Sequence, residues 1–108
     1  MDFLFLEYDK GRAVALVEYK HKRAMPQFAT HPTYQAMIDL GNRAGIPVFA
    51  CRYDDDFVDW GIVPLNAKAT EFLPERSVMS EVEWVTFLYR LRGYDPPATL
   101  FDLNGVLV

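Results

Sequence analysis

The sequence predicts an α/β domain, a central mixed β-sheet with helices on its faces. Three observations carry this. Two opening strands, joined by a turn, are apolar on both sides: Leu4, Leu6, Val14 and Leu16 share one face, Phe3, Phe5, Ala15 and Val17 the other. A sheet apolar on both sides has to be covered on both sides. A helical stripe then precedes a short, nearly continuous apolar run, IPVFACRY at 46–53, which reads as a buried strand. The order strand–helix–strand points to a parallel crossover.

Taken in order, FLFLEY (3–8) is a strand, Asp9-Lys10-Gly11 a turn, and AVALVEYK (13–20) the returning strand of a hairpin. HKRAMPQFATH (21–31) is basic and then loop-like. Pro32 suits a first helical turn, with Thr30 or His31 as the cap. Tyr34, Met37, Ile38, Gly41 and Ala44 form the stripe, which stops at Gly45 and Pro47. Asp54-Asp55-Asp56 closes the buried strand; it lacks the ligand alternation and the glycine of a calcium loop and reads as solvated. Residues 57–73, broken by Gly61 and Pro64, are expected to be one or two irregular strands at a sheet edge. Ser80-Glu81-Val82-Glu83 is a capping box that opens a helix over 81–92, with Gly93 as its stop. Residues 94–108, with Pro96-Pro97 and two apolar patches, read as a docking tail.

Length and composition bound the rest. The 108 residues are one domain, and 51% hydrophobic content excludes disorder. Eleven Lys+Arg against fifteen Asp+Glu give −4, which argues against a histone-like polyanion binder but leaves room for local basic patches. The lone Cys51 allows no internal disulfide and no cysteine zinc cage, so a reducing cytoplasmic setting is expected. No apolar run reaches the ~20 residues needed to span a bilayer, and the opening MDFLFLEYD lacks the basic region of a signal peptide.

The chemistry sits on the hairpin. With a three-residue loop, Tyr8 pairs with Arg12 and Asp2 lies opposite Glu18, their Cβ atoms roughly 4.5–5.5 Å apart. Lys20 points the same way. A two-residue loop, Lys10-Gly11, would instead set Asp2 opposite Tyr19 and on the other face. Two carboxylates that close repel unless a cation lies between them. Mg²⁺ (or Mn²⁺) suits such a gap, since it takes one or two carboxylates with waters and phosphate oxygens. The Tyr19 carbonyl could add an oxygen, and an adjacent lysine can orient water and balance charge. Acid, acid, lysine on one face is thus a pattern for phosphodiester hydrolysis.

Asp2, the hairpin and Glu18-Tyr19-Lys20, then a helix and IPVFACRY, resemble the PD-(D/E)XK nuclease superfamily, the restriction-endonuclease-like fold, in its small phage or mobile-element form. The resemblance covers residues 2–53 and includes a sixteen-residue spacing from Asp2 to Glu18. It implies Mg²⁺ ligation by Asp2 and Glu18, a catalytic Lys20, and Gln35 as the helix glutamine found near the site in many members. The family usually has a helix and a strand ahead of the Asp, so the expected fold is restriction-endonuclease-like with that N-terminal layer either trimmed from this sequence or supplied by another segment or a partner subunit. The expected function is Mg²⁺-dependent DNA cleavage. Lys22 and Arg23, in the basic run EYKHKR, are placed against substrate phosphates. A homodimer would present two sites for a two-strand cut. The alternative is a binding module that keeps the fold without catalysis, such as a phage-encoded regulator or inhibitor; a scaffold with no site is a third possibility. Trp60, Trp84 and Cys51 read as packing residues, and Arg52 as a partner of the Asp54–Asp56 run.

Overall fold

The computed structural model describes residues 3–23 and 31–100. The elements are β1 (Phe3–Asp9), β2 (Arg12–His21), α1 (Pro32–Ala44), β3 (Val48–Tyr53), β4 (Trp60–Pro64), α2 (Ala67–Phe72), β5 (Ser77–Met79), α3 (Glu81–Leu91) and a 3-10 turn at Ala98–Leu100. One five-stranded mixed sheet runs β1-β2-β3-β4-β5, and helices flank it. β2 and β3 are parallel across the α1 crossover; the other pairings are antiparallel. No described helix is long and apolar enough to cross a membrane.

Two core clusters follow from strand alternation. Leu16 and Val48 pack with Tyr34 and Met37 of α1. Val17, Phe49, Cys51 and Ile62 pack on the opposite face with Ala69 of α2 and Trp84 of α3. Pro32 opens α1, the His31 ring accepts from the Thr33 amide at 3.2 Å, and Gly45 ends the helix at φ 71°. Gly41 lets α1 close on β3, because a Cβ there would stand 2.1 Å from Val48 Cγ2. The capping box of α3 forms as expected: Glu83 N donates to Ser80 Oγ at 3.2 Å and Ser80 N to Glu83 Oε1 at 2.9 Å.

These bonds, the backbone one first, hold the Glu83 carboxyl below its ordinary value near 4.5. A depressed carboxylate contributes stability above that value and loses it as pH falls through the folded-state value. The melting temperature should therefore drop on acidification below about pH 4.5, and Glu83→Gln should flatten that drop in thermal scans from pH 6 to 3.

Two expectations need correction. Residues 57–73 are not wholly extended, since Ala67–Phe72 is helical, capped by Asn66. Ala67, Lys68, Ala69 and Glu71 are strong helix formers, and their propensity outweighs the strand pattern upstream. β4 is also an interior strand. Its Pro64 is tolerated because β5 pairs only with Trp60–Ile62, so the proline end is locally an edge.

The second correction concerns the hairpin. Asp9 pairs with Arg12 across a two-residue turn whose residues, Lys10 and Gly11, sit at φ 50° and 78°. That is the positive-φ pair a tight hairpin turn requires. The register then shifts between Glu7 and Tyr8, where Val14 is the extra residue on β2, so Glu18 lies opposite Leu4 rather than Asp2. Asp2 lies outside the described residues. The turn and the bulge together move the pairing by two positions, an even number. Leu4, Leu6, Leu16, Glu18 and Lys20 therefore still share a face.

Candidate active site

Glu18 and Lys20 sit in the middle of the sheet, on the α1 face, between β1 and β3. The cross-strand row through Glu18 reads Leu4, Glu18, Ala50, Val63, and the next reads Lys20, Arg52, Gly61, Val78. Both residues follow the apolar run Ala15–Val17, and the strand carries them inward with it. Glu18 is 0% exposed and Lys20 6%.

The Glu18 carboxylate is the anomaly of this face. Both of its oxygens are buried and neither makes a hydrogen bond of good geometry. They are the only buried side-chain N or O atoms so left among the described residues. Buried polar groups are almost always satisfied, so an orphan carboxylate marks a place where a ligand is expected. No ion pair among the described residues takes up Lys20 either. The Tyr34 phenol, reaching in from α1, is pushed up to about 12, by burial first and then by the Glu18 carboxylate. It stays a neutral donor throughout the physiological range. Ala50, the partner of Glu18 on β3, is small and buried.

The remaining residues fall around this pair. The Tyr19 side chain points to the opposite face, where its hydroxyl accepts from Trp84 Nε1 at 3.2 Å. Its backbone lies between two paired strands, opposite Phe3 and Cys51. Gln35 is exposed in the first turn of α1. Lys22 pairs with Asp54 at 3.3 Å, and Arg23 with Asp55. His21 Nε2 lies 2.7 Å from Asp55 Oδ1. The acidic run thus neutralises the end of β2, and the Asp55 carboxyl is held below its usual range, by His21 first and Arg23 next. The Arg52 guanidinium donates to the Lys22 carbonyl at 3.3 Å. No group of three or more His, Cys, Asp or Glu side chains gathers among the described residues. The unsatisfied Glu18 oxygens supply one of the one or two carboxylates that Mg²⁺ ordinarily takes.

Sequence reasoning missed the aromatic cleft on the α3 face. Tyr53, Phe57 and Trp60 stack in sequence, with ring centroids 5.7 and 5.8 Å apart, and Phe57 adopts φ 55°. An exposed aromatic residue in the left-handed region has no sequence signal, since that conformation is one glycine or asparagine usually takes. The start of the tail is docked: Tyr94 donates to Asp9 Oδ2 at 3.2 Å, and Lys10 lies over its ring. Residues 101–108 of that expected docking segment lie outside the described residues.

Cys51 packs in the core as read from the sequence, 0% exposed, and burial pushes its thiol up to about 12. It should react with thiol reagents only when the chain unfolds, so labelling with Ellman's reagent should appear with the denaturation transition and not before.

Compared with known proteins, the chain matches no family model, no curated protein and no solved structure.

Proposed function

We propose that this protein is a Mg²⁺-dependent nuclease of the restriction-endonuclease-like type, hydrolysing phosphodiester bonds in DNA. The observation that carries the reading is the orphan Glu18 carboxylate with Lys20 beside it, on a hairpin that leads through a helix into a parallel strand. Glu18 would hold the ion, with Asp2 and the Tyr19 carbonyl as further oxygen donors. Mg²⁺ would supply Lewis-acid chemistry, lowering the pKa of a water and stabilising charge on the phosphate. Lys20 orients the attacking water and balances the negative charge that grows on the phosphoryl oxygens. The Tyr34 hydroxyl donates toward the same space. Lys22 and Arg23 are assigned to substrate phosphates, and Gln35 to the rim of the site.

Cleavage of single-stranded, duplex and branched DNA with Mg²⁺, and its loss in Glu18→Ala, is the test. No cleavage of any substrate, or cleavage that Glu18→Ala leaves intact, overturns the reading.

A homodimer belongs to the same proposal. β1 is an edge strand, and it exposes apolar side chains on both faces: Phe3, Leu4, Phe5, Leu6 and Tyr8. A second β1 laid antiparallel matches that two-sided pattern and satisfies the open ladder. Light scattering should give twice the chain mass, and Phe5→Lys should halve it; a monomeric wild type removes the dimer and leaves the nuclease reading standing.

A further inference from the structure

A cavity of about 330 Å³ opens on the face that carries Glu18 and Lys20, over β4 and β5. Its lining includes Lys22, Arg52, Arg76 and Asp59, and Lys22 is also paired with Asp54 at 3.3 Å, so three basic residues gather with two acidic ones. It continues the row Lys20, Arg52, Gly61, Val78, whose members are direct cross-strand partners. Gly61 leaves its floor open, with only Arg52 atoms, at 3.9 Å, near where a Cβ would stand. α1 covers the β2–β3 side of this face, whereas Val78 on β5 is 70% exposed. Arg76 makes no ion pair among the described residues.

Resting on the nuclease reading, we propose that this trough carries the phosphate backbone of one nucleic-acid strand across the sheet, from Lys20 toward β5. Arg52, Lys22 and Arg76 are its contacts. At about 4.8 Å per strand the path from β2 to β5 is roughly 14 Å. That exceeds the ~3.4 Å axial spacing of charges along one DNA strand, so more than one phosphate fits. The trough gathers three basic side chains in an acidic protein, Arg76 among them without an ion pair among the described residues. It reads no bases, so it predicts binding without sequence preference.

The experiment is fluorescence anisotropy of the full chain with a labelled single-stranded oligodeoxynucleotide, in EDTA, at several salt concentrations. Arg76→Ala should weaken binding about fivefold and reduce the salt slope by about 0.7. Val78→Lys adds a cation inside the trough and should tighten binding by a similar factor, with a steeper slope. Phe72→Lys, an exposed addition on α2, is the control for net charge and should change affinity less. The proposal is overturned by no binding, by an unchanged affinity in Arg76→Ala or Val78→Lys, or by an equal gain in Phe72→Lys. These positions are exposed, so the variants keep the fold. Because binding is read without metal, the two proposals fail separately. A wild type that binds through the trough and never cleaves sinks the nuclease alone. A cleaving protein indifferent to Arg76 and Val78 sinks the trough alone.

Discussion

The double variant Glu18→Leu/Lys20→Met is expected to be more stable than the wild type, by about 1–4 kcal/mol in chemical denaturation. Each residue is buried, Glu18 makes no hydrogen bond of good geometry although the Tyr34 phenol lies against it, and no ion pair among the described residues offsets the desolvation of either. Leucine and methionine have similar volumes and remove that cost without opening a cavity. A group retained against stability is the signature of a functional site. The same variant should lose its response to metal. A ligand of the native state at a hundred times its Kd raises stability by about 2.7 kcal/mol. Mg²⁺ should therefore raise the wild-type melting temperature and leave the variant's unchanged. A variant less stable than the wild type would make the pair structural.

Asn66→Ala is expected to have the largest destabilising effect, about 2–5 kcal/mol. The Asn66 side chain uses both ends of its amide. Its oxygen accepts from Val48 N at 3.0 Å and Ala69 N at 2.9 Å, and its nitrogen donates to Ile46 O at 3.0 Å and Asn42 Oδ1 at 3.1 Å. One residue thus ties the end of α1, the start of β3 and the cap of α2. Alanine would orphan two buried backbone donors. Asn66→Asp keeps the acceptor and loses the donor, so its cost should lie between. Urea denaturation measures both, and a loss below about 1 kcal/mol for the alanine variant would show that the hub carries little.

What was legible in the sequence is what local chemistry dictates. The α1 stripe, its Pro32 start and Gly45 stop, and the Ser80–Glu83 box each involve residues a few positions apart, and the structure has them, except that the stripe's last member, Ala44, is exposed. The mixed sheet and its parallel crossover were legible too, because apolar character on both faces of β2 and β3 leaves few other arrangements. The hairpin register was not. The turn places a lysine at positive φ, and the bulge at Val14 has no glycine to announce it. α2 had a signal that the Gly61 and Pro64 breaks obscured: Asn66 followed by Ala-Lys-Ala is a cap before helix formers. For the candidate site, the same-face grouping of Glu18 and Lys20 follows from period two and survives the slip. The role of Arg76 does not, since it reaches the trough only through the pairing of β4 with β5.

The two ends of the sheet are unequal. β5 has three residues, a brief margin, while β1 has seven, with apolar groups on either side. Among the described residues, β1 is therefore the longer and more apolar margin for strand addition. Two copies joined there consume the adhesive margin of both and turn their blunt margins outward. The proposed dimer would thereby close at two, its asymmetry guarding against fibre formation.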